Sequence, residues 1–296
     1  MCGIIGYIGK NEALPILLEG LKRLEYRGYD SAGLVILNKK INLIKTSGKV
    51  ADLEKKIGAK KIEGQMGVAH TRWATHGAPN EINAHPHSDC SGDLWLVHNG
   101  IIENYKEIKE NLIKHGHRFT SETDSEVIIH LIEEEKKAHV DLAEAVRFAL
   151  AKIRGTYGLV VLDKNEPDKI IAARLGSPLL VGIKKDEYFV ASDAAAIVPY
   201  TREVIYLDDG ELAILTKTGL TTVTLKKEQT RKEINHIDWE IDQAEKQGYP
   251  HFMLKEIFEQ SESLTNATRG RILKNDGLAK LGGIEEIKDK LSKIKR

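Results

Sequence analysis

Two cysteines are the strongest nucleophiles of this 296-residue chain, and Cys2 directly follows the initiator methionine. Met1 is readily trimmed before a small residue, which would leave Cys2 with both a thiol and a free α-amine. An α-amine with a pKa of about 7.7–8.0 suits a general base at neutral pH, and a thiol with a pKa of about 8.5 is a fair nucleophile. Cys2 is therefore a candidate N-terminal nucleophile, although position alone favours a small residue that opens a strand.

The histidines offer a second kind of chemistry. His85, His87 and Cys90 form an H-x-H-x-x-C pattern, which could be a zinc site, with His70, His76 and His98 nearby in sequence. The spacing is weak, and no second cysteine pair supports it. Loop and packing roles are favoured, so no metal site is predicted and Cys90 is expected to be inert. The sequence contains neither GxxxxGK[ST] nor GxGxxG, so no nucleotide or other cofactor is expected.

These side chains must be positioned by many short strands and a few amphipathic helices. Helices are predicted over about 14–24, 104–116, 125–135 and 141–153, the last with Asp141 and Glu144 as a capping-box-like pair, between strand-like runs separated by Gly- and Asp-containing turns. One of these strands, Leu94–His98, is expected to end just before the Asn99-Gly100 pair. Regular βαβ alternation is missing, so sheets packed together and covered by helices, an α+β architecture, are expected. The strand-rich part ends near Lys232, and the remainder is helical and charged.

The amino-acid composition restricts the binding partners of the protein and the cellular compartment in which it is expected. Lys plus Arg total 44 and Asp plus Glu total 44, a balance that argues against nucleic-acid binding. No apolar run approaches the roughly 20 residues of a membrane span, and the amino terminus lacks the features of a secretory signal. With only two cysteines, a disulfide framework is not expected, so a reducing, cytoplasmic setting is predicted.

Ordered sequence blocks carry a resemblance to a known family. CGIIG at the amino terminus resembles the class II glutamine amidotransferases, which are N-terminal-nucleophile hydrolases. Further blocks resemble one branch of them, the glutamine–fructose-6-phosphate aminotransferases (isomerising), or glucosamine-6-phosphate synthases. These blocks are LEYRGYDSAG at 24–33, HTRWATHG at 70–77, NAHPH at 83–87, HNGIIENY at 98–105 and SETDSEVI at 121–128.

The resemblance implies a four-layer αββα N-terminal-nucleophile hydrolase fold with a helical C-terminal linker. Residues 2–232 would form the glutaminase domain, and residues 233–296 would lead toward sugar-isomerase domains, carried on the same full-length chain or on a separate one. Hydrolysis of L-glutamine to L-glutamate and ammonia is then expected. The ammonia would serve glucosamine-6-phosphate synthesis from fructose 6-phosphate, and a homodimer could form through the isomerase half.

The resemblance also implies roles for individual residues. Cys2 would form a γ-glutamyl thioester, with the Asn99 side-chain amide and the Gly100 N–H as oxyanion donors; taken alone, Asn-Gly is a common hairpin turn. Arg72 suits the substrate carboxylate and Asp124 its ammonium, although Asp124 could instead cap the helix that follows. The remaining assignments are Thr75 and His76 as hydrogen-bonding groups, Trp73 as the gate at the pocket mouth, and Arg27 as a structural brace.

Three alternatives remain open at this point. One is an N-terminal-nucleophile amidase that acts on another amide. The second is a non-enzymatic metal-binding or regulatory module in which Cys2 is only structural. The third is a domain that serves mainly as an interaction partner for a separate isomerase chain.

Overall fold

The computed structural model of the chain describes residues 2–38, 40–139, 141–238, 249, 251–268, 272–273 and 278–279. Met1, whose removal is predicted, lies outside these residues, as does much of the predicted linker. The chain divides into two compact units, Met1–Ala244 and Glu245–Arg296, which are described separately.

The first unit contains five of the described α-helices and two β-sheets. The helices are α1 (Ala13–Leu24), α2 (Val50–Ile57), α3 (Tyr105–Lys114), α4 (Glu126–Lys136) and α5 (Leu142–Leu150). The strands are β1 (Gly3–Ile8), β2 (Ser31–Leu37), β3 (Ile41–Ser47), β4 (Met66–Arg72), β5 (His87–Ser88), β6 (Leu94–Ile102), β7 (Gly155–Asp163), β8 (Lys169–Leu175), β9 (Leu180–Lys184), β10 (Glu187–Ala191), β11 (Glu203–Tyr206), β12 (Glu211–Thr216), β13 (Gly219–Thr224) and β14 (Asn235–His236).

Both sheets are antiparallel throughout their described pairs. The larger has the order β14-β11-β9-β10-β1-β4-β2-β3, and the smaller has the order β13-β12-β8-β7-β6-β5. In the larger sheet β1 lies between β10 and β4; its first residue, Gly3, pairs with Thr71 of β4, and pairing with β10 begins at Ile5. The chain beside Cys2 is therefore held in a central position of a sheet.

Three separate hydrophobic cores show how the layers stack. One core joins α1 and α2 to one face of the larger sheet, and another joins α3, α4 and α5 to one face of the smaller sheet. The third lies between the sheets and contains side chains from both, such as Ile4 and Val160. Because successive side chains of a strand point to opposite faces, Ile5 packs in the helix-side core while Ile4 packs between the sheets. The predicted four-layer αββα arrangement is confirmed.

Several elements differ from the sequence-based expectation, and β14 lies beyond the predicted end of the strand-rich part near Lys232. Helix α2 was not predicted, because its eight residues place only Val50, Leu53 and Ile57 on the buried face, too few to stand out in a charged stretch. Strand β6 was expected to end at His98, but it continues to Ile102 and pairs with β7 along its whole length.

The second unit contains α6 (Phe252–Thr268) and a short antiparallel pair, β15 (Ile272–Leu273) with β16 (Leu278–Ala279). The 17-residue α6 agrees with the predicted helical character of this region. None of the helices in the described part of the chain is both long and apolar enough to span a membrane.

Candidate active site

A cavity of about 340 Å³ opens where the start of β1, the end of β4 and the second half of β6 meet. The antiparallel register of β1 and β4 pairs Gly3 with Thr71, so Cys2 falls beside Arg72. The lining includes all predicted site residues except His76. Its members are Cys2, Arg27, Arg72, Trp73, Thr75, His85, His98, Asn99, Gly100, Ile101, Thr123, Asp124, Ser125, Thr156, Ser177 and Pro178.

Cys2 presents its sulfur to the wall of this cavity. The Trp73 N–H donates to Cys2 Sγ at 3.2 Å, and the thiol lies 3.6 Å from the Trp73 carbonyl oxygen. Burial raises the pKa of the Cys2 thiol, while the Trp73 N–H and the Arg72 charge oppose that shift. Cys2 therefore holds its proton at neutral pH and needs a base to become a nucleophile.

Gly3 explains how the backbone beside Cys2 fits into the fold. A Cβ at this position would lie 2.7 Å from Leu24 Cβ and 2.7 Å from Thr71 Oγ1. Neither neighbour can retreat easily, since Leu24 is fully buried on α1 and Thr71 on β4. A glycine after Cys2 therefore lets β1 pack closely against both elements.

Asn99 joins the cysteine to a buried histidine. Its Nδ2 donates to the Cys2 carbonyl oxygen at 3.1 Å, and its Oδ1 lies 3.0 Å from His70 Nε2. Because an amide oxygen only accepts, His70 must carry its proton on Nε2, and this fixes the orientation of the Asn99 amide. A primary amide nitrogen has a second N–H, so Asn99 retains one donor at the cavity.

Gly100 occupies a backbone conformation that excludes a side chain. Its φ is +134°, and a Cβ would lie 2.1 Å from the Thr156 carbonyl oxygen. Asn99 and Gly100 lie within β6, where Gly100 pairs with Tyr157, and not in the hairpin turn or at the strand end that the sequence indicated. The physical reason is that Ile101 and Ile102 continue the ladder with β7 beyond the glycine.

The histidines behind this wall are packed and uncharged. Burial lowers the pKa of His70 to about 3 and also lowers the pKa values of His85, His87 and His98. The His70 and His85 rings stack with their centroids 4.2 Å apart, and His85 and His87 meet edge to face at 4.5 Å. The three members of the H-x-H-x-x-C pattern do not act together, since the Cys90 sulfur lies beside a different pair of histidines.

Arg72 and Asp124 lie on the cavity with different partners. The Arg72 guanidinium donates to the carbonyl oxygens of His76, Gly77 and Ala78, so it holds the loop after β4. The Asp124 carboxylate accepts from the Ile102 N–H at 2.7 Å, so its observed hydrogen bond is with β6 and not with the first turn of α4.

The loop after β4 forms the mouth of the cavity. Trp73 is 50% exposed, and its ring meets Tyr29 edge to face at 5.7 Å. Thr75 is exposed on the rim. His76 packs edge to face against Tyr105 and reaches the site only indirectly, with Nδ1 at 3.9 Å from Asp124 Oδ1.

Several lining residues were not selected from the sequence. Thr123 and Ser125 flank Asp124 in the SETDSEVI block, which is the one signal that could have identified them. Thr156, Ser177 and Pro178 come from strand ends and loops that carry no such signal. Arg27 bonds to Asp193 Oδ2 at 2.9 Å, which agrees with the expected bracing role, yet it also lines the cavity.

The fold and the cysteine-centred cavity define the class. The αββα fold is that of the N-terminal-nucleophile amidotransferases. The family model described as "Glutamine amidotransferase domain" matches residues 56–238, more than half of the chain. The chain belongs to this glutamine amidotransferase family.

Similar proteins point to one branch of the family. The glutamine–fructose-6-phosphate aminotransferase [isomerizing] of Chlorobaculum tepidum is 49% identical over 100% of this chain and 49% of its own length. The protein of the same name from Thermococcus kodakarensis is 52% identical over 91% of this chain and 45% of its own length. Among solved structures, the glutamine phosphoribosylpyrophosphate amidotransferase of B. subtilis matches with a TM-score of 0.66 and 28% identity, covering 78% of this chain and 50% of that one. The chain thus spans about half the length of the curated relatives it matches.

Proposed function

We propose that this chain hydrolyses L-glutamine to L-glutamate and ammonia through a γ-glutamyl thioester on Cys2. The observation that supports this most strongly is the single cavity that contains Cys2, Asn99, Gly100, Arg72 and Asp124, which span 123 positions of the sequence. A volume of about 340 Å³ lies at the small end of the range for ligand pockets, which is roughly 300–1,000 Å³, and suits a single amino acid.

Substrate binding follows from the charges at the cavity. Arg72 pairs with the α-carboxylate of glutamine, because its guanidinium has N–H groups beyond those that hold the loop. Asp124 pairs with the α-ammonium, and Thr75 adds a hydrogen bond from the loop after β4. His76, predicted as a substrate-binding residue, does not line the cavity and acts only behind Asp124, with its Nδ1 3.9 Å from Oδ1. Trp73 closes the mouth behind the bound amino acid and controls the passage of ammonia.

The chemistry uses one residue as both nucleophile and base. Once Met1 is removed, the α-amine of Cys2 takes the thiol proton, and the sulfur attacks the side-chain carboxamide carbon. The Asn99 amide and the Gly100 N–H stabilise the oxyanion, a contribution typically worth about 100- to 1,000-fold in turnover for one donor. The C–N bond breaks as the amine passes its proton to the leaving ammonia. The same amine then activates the water that hydrolyses the thioester.

The destination of the ammonia is inferred from the relatives. We propose that the chain supplies ammonia for glucosamine-6-phosphate synthesis from fructose 6-phosphate, as the glutaminase half of an isomerising aminotransferase. In this proposal the glutaminase domain extends past the expected boundary at Lys232 to include β14, which pairs with β11 in the larger sheet, and the later residues lead to sugar-isomerase domains, through which a homodimer forms. A cytoplasmic location agrees with Cys2 and Cys90 both being free thiols.

Glutamate release from glutamine tests the proposal. The wild-type protein should release glutamate, Cys2→Ala should release none above background, and Cys90→Ser should keep the wild-type rate as the thiol-matched control. Intact mass of the same sample should show loss of Met1, because a retained Met1 acylates the base. Equal rates for the wild type and Cys2→Ala would refute the proposal.

A further inference from the structure

A second group of chemically active side chains surrounds Cys90, away from the residues that line the cavity. Cys90 Sγ, one nitrogen each of His117 and His130, and a carboxylate oxygen of Glu133 all lie within 4.8 Å of one another. Cys90 is exposed, while both histidines are buried. These four residues, the Cys90 cluster, come from three segments: the loop after β5, the loop after α3, and successive turns of α4.

The distances in the Cys90 cluster resemble the edges of a tetrahedron of metal ligands. Cys90 Sγ lies 3.8 Å from His117 Nδ1 and 3.6 Å from His130 Nδ1. Glu133 Oε2 lies 3.0 Å from His117 Nδ1 and 3.1 Å from His130 Nδ1. Zinc bonds of about 2.3 Å to sulfur and about 2.0–2.1 Å to nitrogen or oxygen give tetrahedral edges of about 3.6 Å (S to N) and about 3.3 Å (N to O).

The outer nitrogens of the two histidines provide independent support. His117 Nε2 lies 2.9 Å from Glu134 Oε2, and His130 Nε2 lies 3.7 Å from Glu126 Oε1. Metal-binding histidines characteristically donate the N–H of their other ring nitrogen to a carboxylate, which fixes the tautomer and directs the lone pair at the ion. The His117 ring has this arrangement, whereas His130 Nε2 only faces the Glu126 carboxylate from beyond hydrogen-bond distance; both rings direct Nδ1 into the cluster.

We propose that Cys90, His117, His130 and Glu133 bind one Zn²⁺ ion in a structural site. A soft thiolate with two imidazoles and a carboxylate is a donor set that zinc accepts in tetrahedral geometry. The charges balance, because one thiolate and one carboxylate neutralise the divalent ion while both histidines stay neutral. Binding forms the Zn–S bond and releases the Cys90 thiol proton to solvent.

The ion would connect segments that support the cavity wall. His117 precedes the loop that leads into α4, and Glu126 in the first turn of α4 accepts from the N–H groups of Thr120 and Ser121 in that loop. The same loop ends at Asp124, which lines the cavity. Zinc at the Cys90 cluster thus stabilises the approach to α4 without touching the glutamine site, and this proposal does not depend on the glutaminase activity.

Cobalt absorption tests the site directly. The full chain, without a histidine tag, is stripped with chelator under reducing conditions and titrated with Co²⁺. One equivalent should produce the thiolate-to-cobalt charge-transfer band and the strong visible absorption of a tetrahedral site, and Zn²⁺ should abolish both stoichiometrically. Cys90→Ser should lose the charge-transfer band, whereas Cys2→Ala and the exposed, neighbouring His115→Ala should keep it.

Two further readouts separate binding at this cluster from an effect on folding. Glu134→Gln should keep the band but weaken Co²⁺ binding roughly 10- to 100-fold, as expected for loss of a carboxylate behind a ligand. Zn²⁺ at about 100 times its Kd should raise the Tm of the wild type by roughly 5 °C and leave that of Cys90→Ser unchanged. No charge-transfer band in the wild type, or one that persists in Cys90→Ser, would overturn the proposal.

Discussion

Asp124→Asn isolates the charge that is proposed to hold the substrate ammonium. The Asp124 side chain is only 5% exposed, so solvent screens its charge weakly. Asparagine keeps the shape and an oxygen that can accept from the Ile102 N–H, so the local structure should survive. What disappears is the ion pair with the substrate.

The expected loss follows from the strength of a charged hydrogen bond. Such a bond contributes about 1.5–3 kcal/mol, which corresponds to a decrease of roughly 10- to 150-fold in kcat/KM for glutamine. Because the pair forms in both the bound substrate and the transition state, most of the loss should appear as a higher KM. The neighbouring, exposed Glu122→Gln makes the same carboxylate-to-amide change and should leave kcat/KM unaltered.

A substrate without the ammonium completes the test. Glutaric acid monoamide retains the carboxylate and the carboxamide of glutamine but has no α-amine. The wild type should prefer glutamine over this analogue by roughly the same 10- to 150-fold factor, and Asp124→Asn should lose that preference. If the variant slows both substrates equally, Asp124 is a structural residue and its assignment to the ammonium is refuted.

Three further outcomes follow from the same geometry. Asn99→Ala should lower kcat about 100- to 1,000-fold with a small change in KM, and a loss confined to KM would exclude an oxyanion role. Gly100→Ala should lower the free energy of unfolding in urea by at least about 2 kcal/mol, because its Cβ would meet the Thr156 carbonyl oxygen. Gly92→Ala, where φ is +74° and the space is open, should lower it by only about 1 kcal/mol, and equal losses would refute the steric argument. The buried His70 has a folded-state pKa of about 3, against 6.5 in the unfolded chain, so the unfolded state gains a proton and the fold loses stability as the pH falls below about 6.5. The expected loss is about 2 kcal/mol at pH 5, and an equal free energy of unfolding in urea at pH 5 and pH 7 would contradict it.

The layer architecture was predictable because the apolar patterns are strong. Helix α1 places Leu17, Leu21 and Leu24 on one buried face, as its spacing indicated. Capping of α5 was also confirmed, since Asp141 accepts from the N–H groups of Ala143 and Glu144. Both patterns involve residues within a few helical turns of one another, so tertiary contacts do not change the structure that they predict.

The geometry of the site was harder to predict from the sequence, because contacts between distant segments determine it. The Asn99-Gly100 pair has the sequence of a turn, but pairing with β7 keeps it in a strand and requires the unusual φ of Gly100. The Cys90 cluster was missed for a similar reason. Its histidines lie 27 and 40 residues beyond the cysteine, a separation that no short motif describes.

Mass spectrometry during turnover tests most directly whether Cys2 is the nucleophile. The protein is mixed with glutamine, quenched in acid before the steady state decays, and analysed intact and as peptides. We predict a chain that lacks Met1 and carries one γ-glutamyl group on the sulfur of Cys2. A γ-glutamyl group on any other residue, or a fully active chain that retains Met1, would contradict the proposed mechanism.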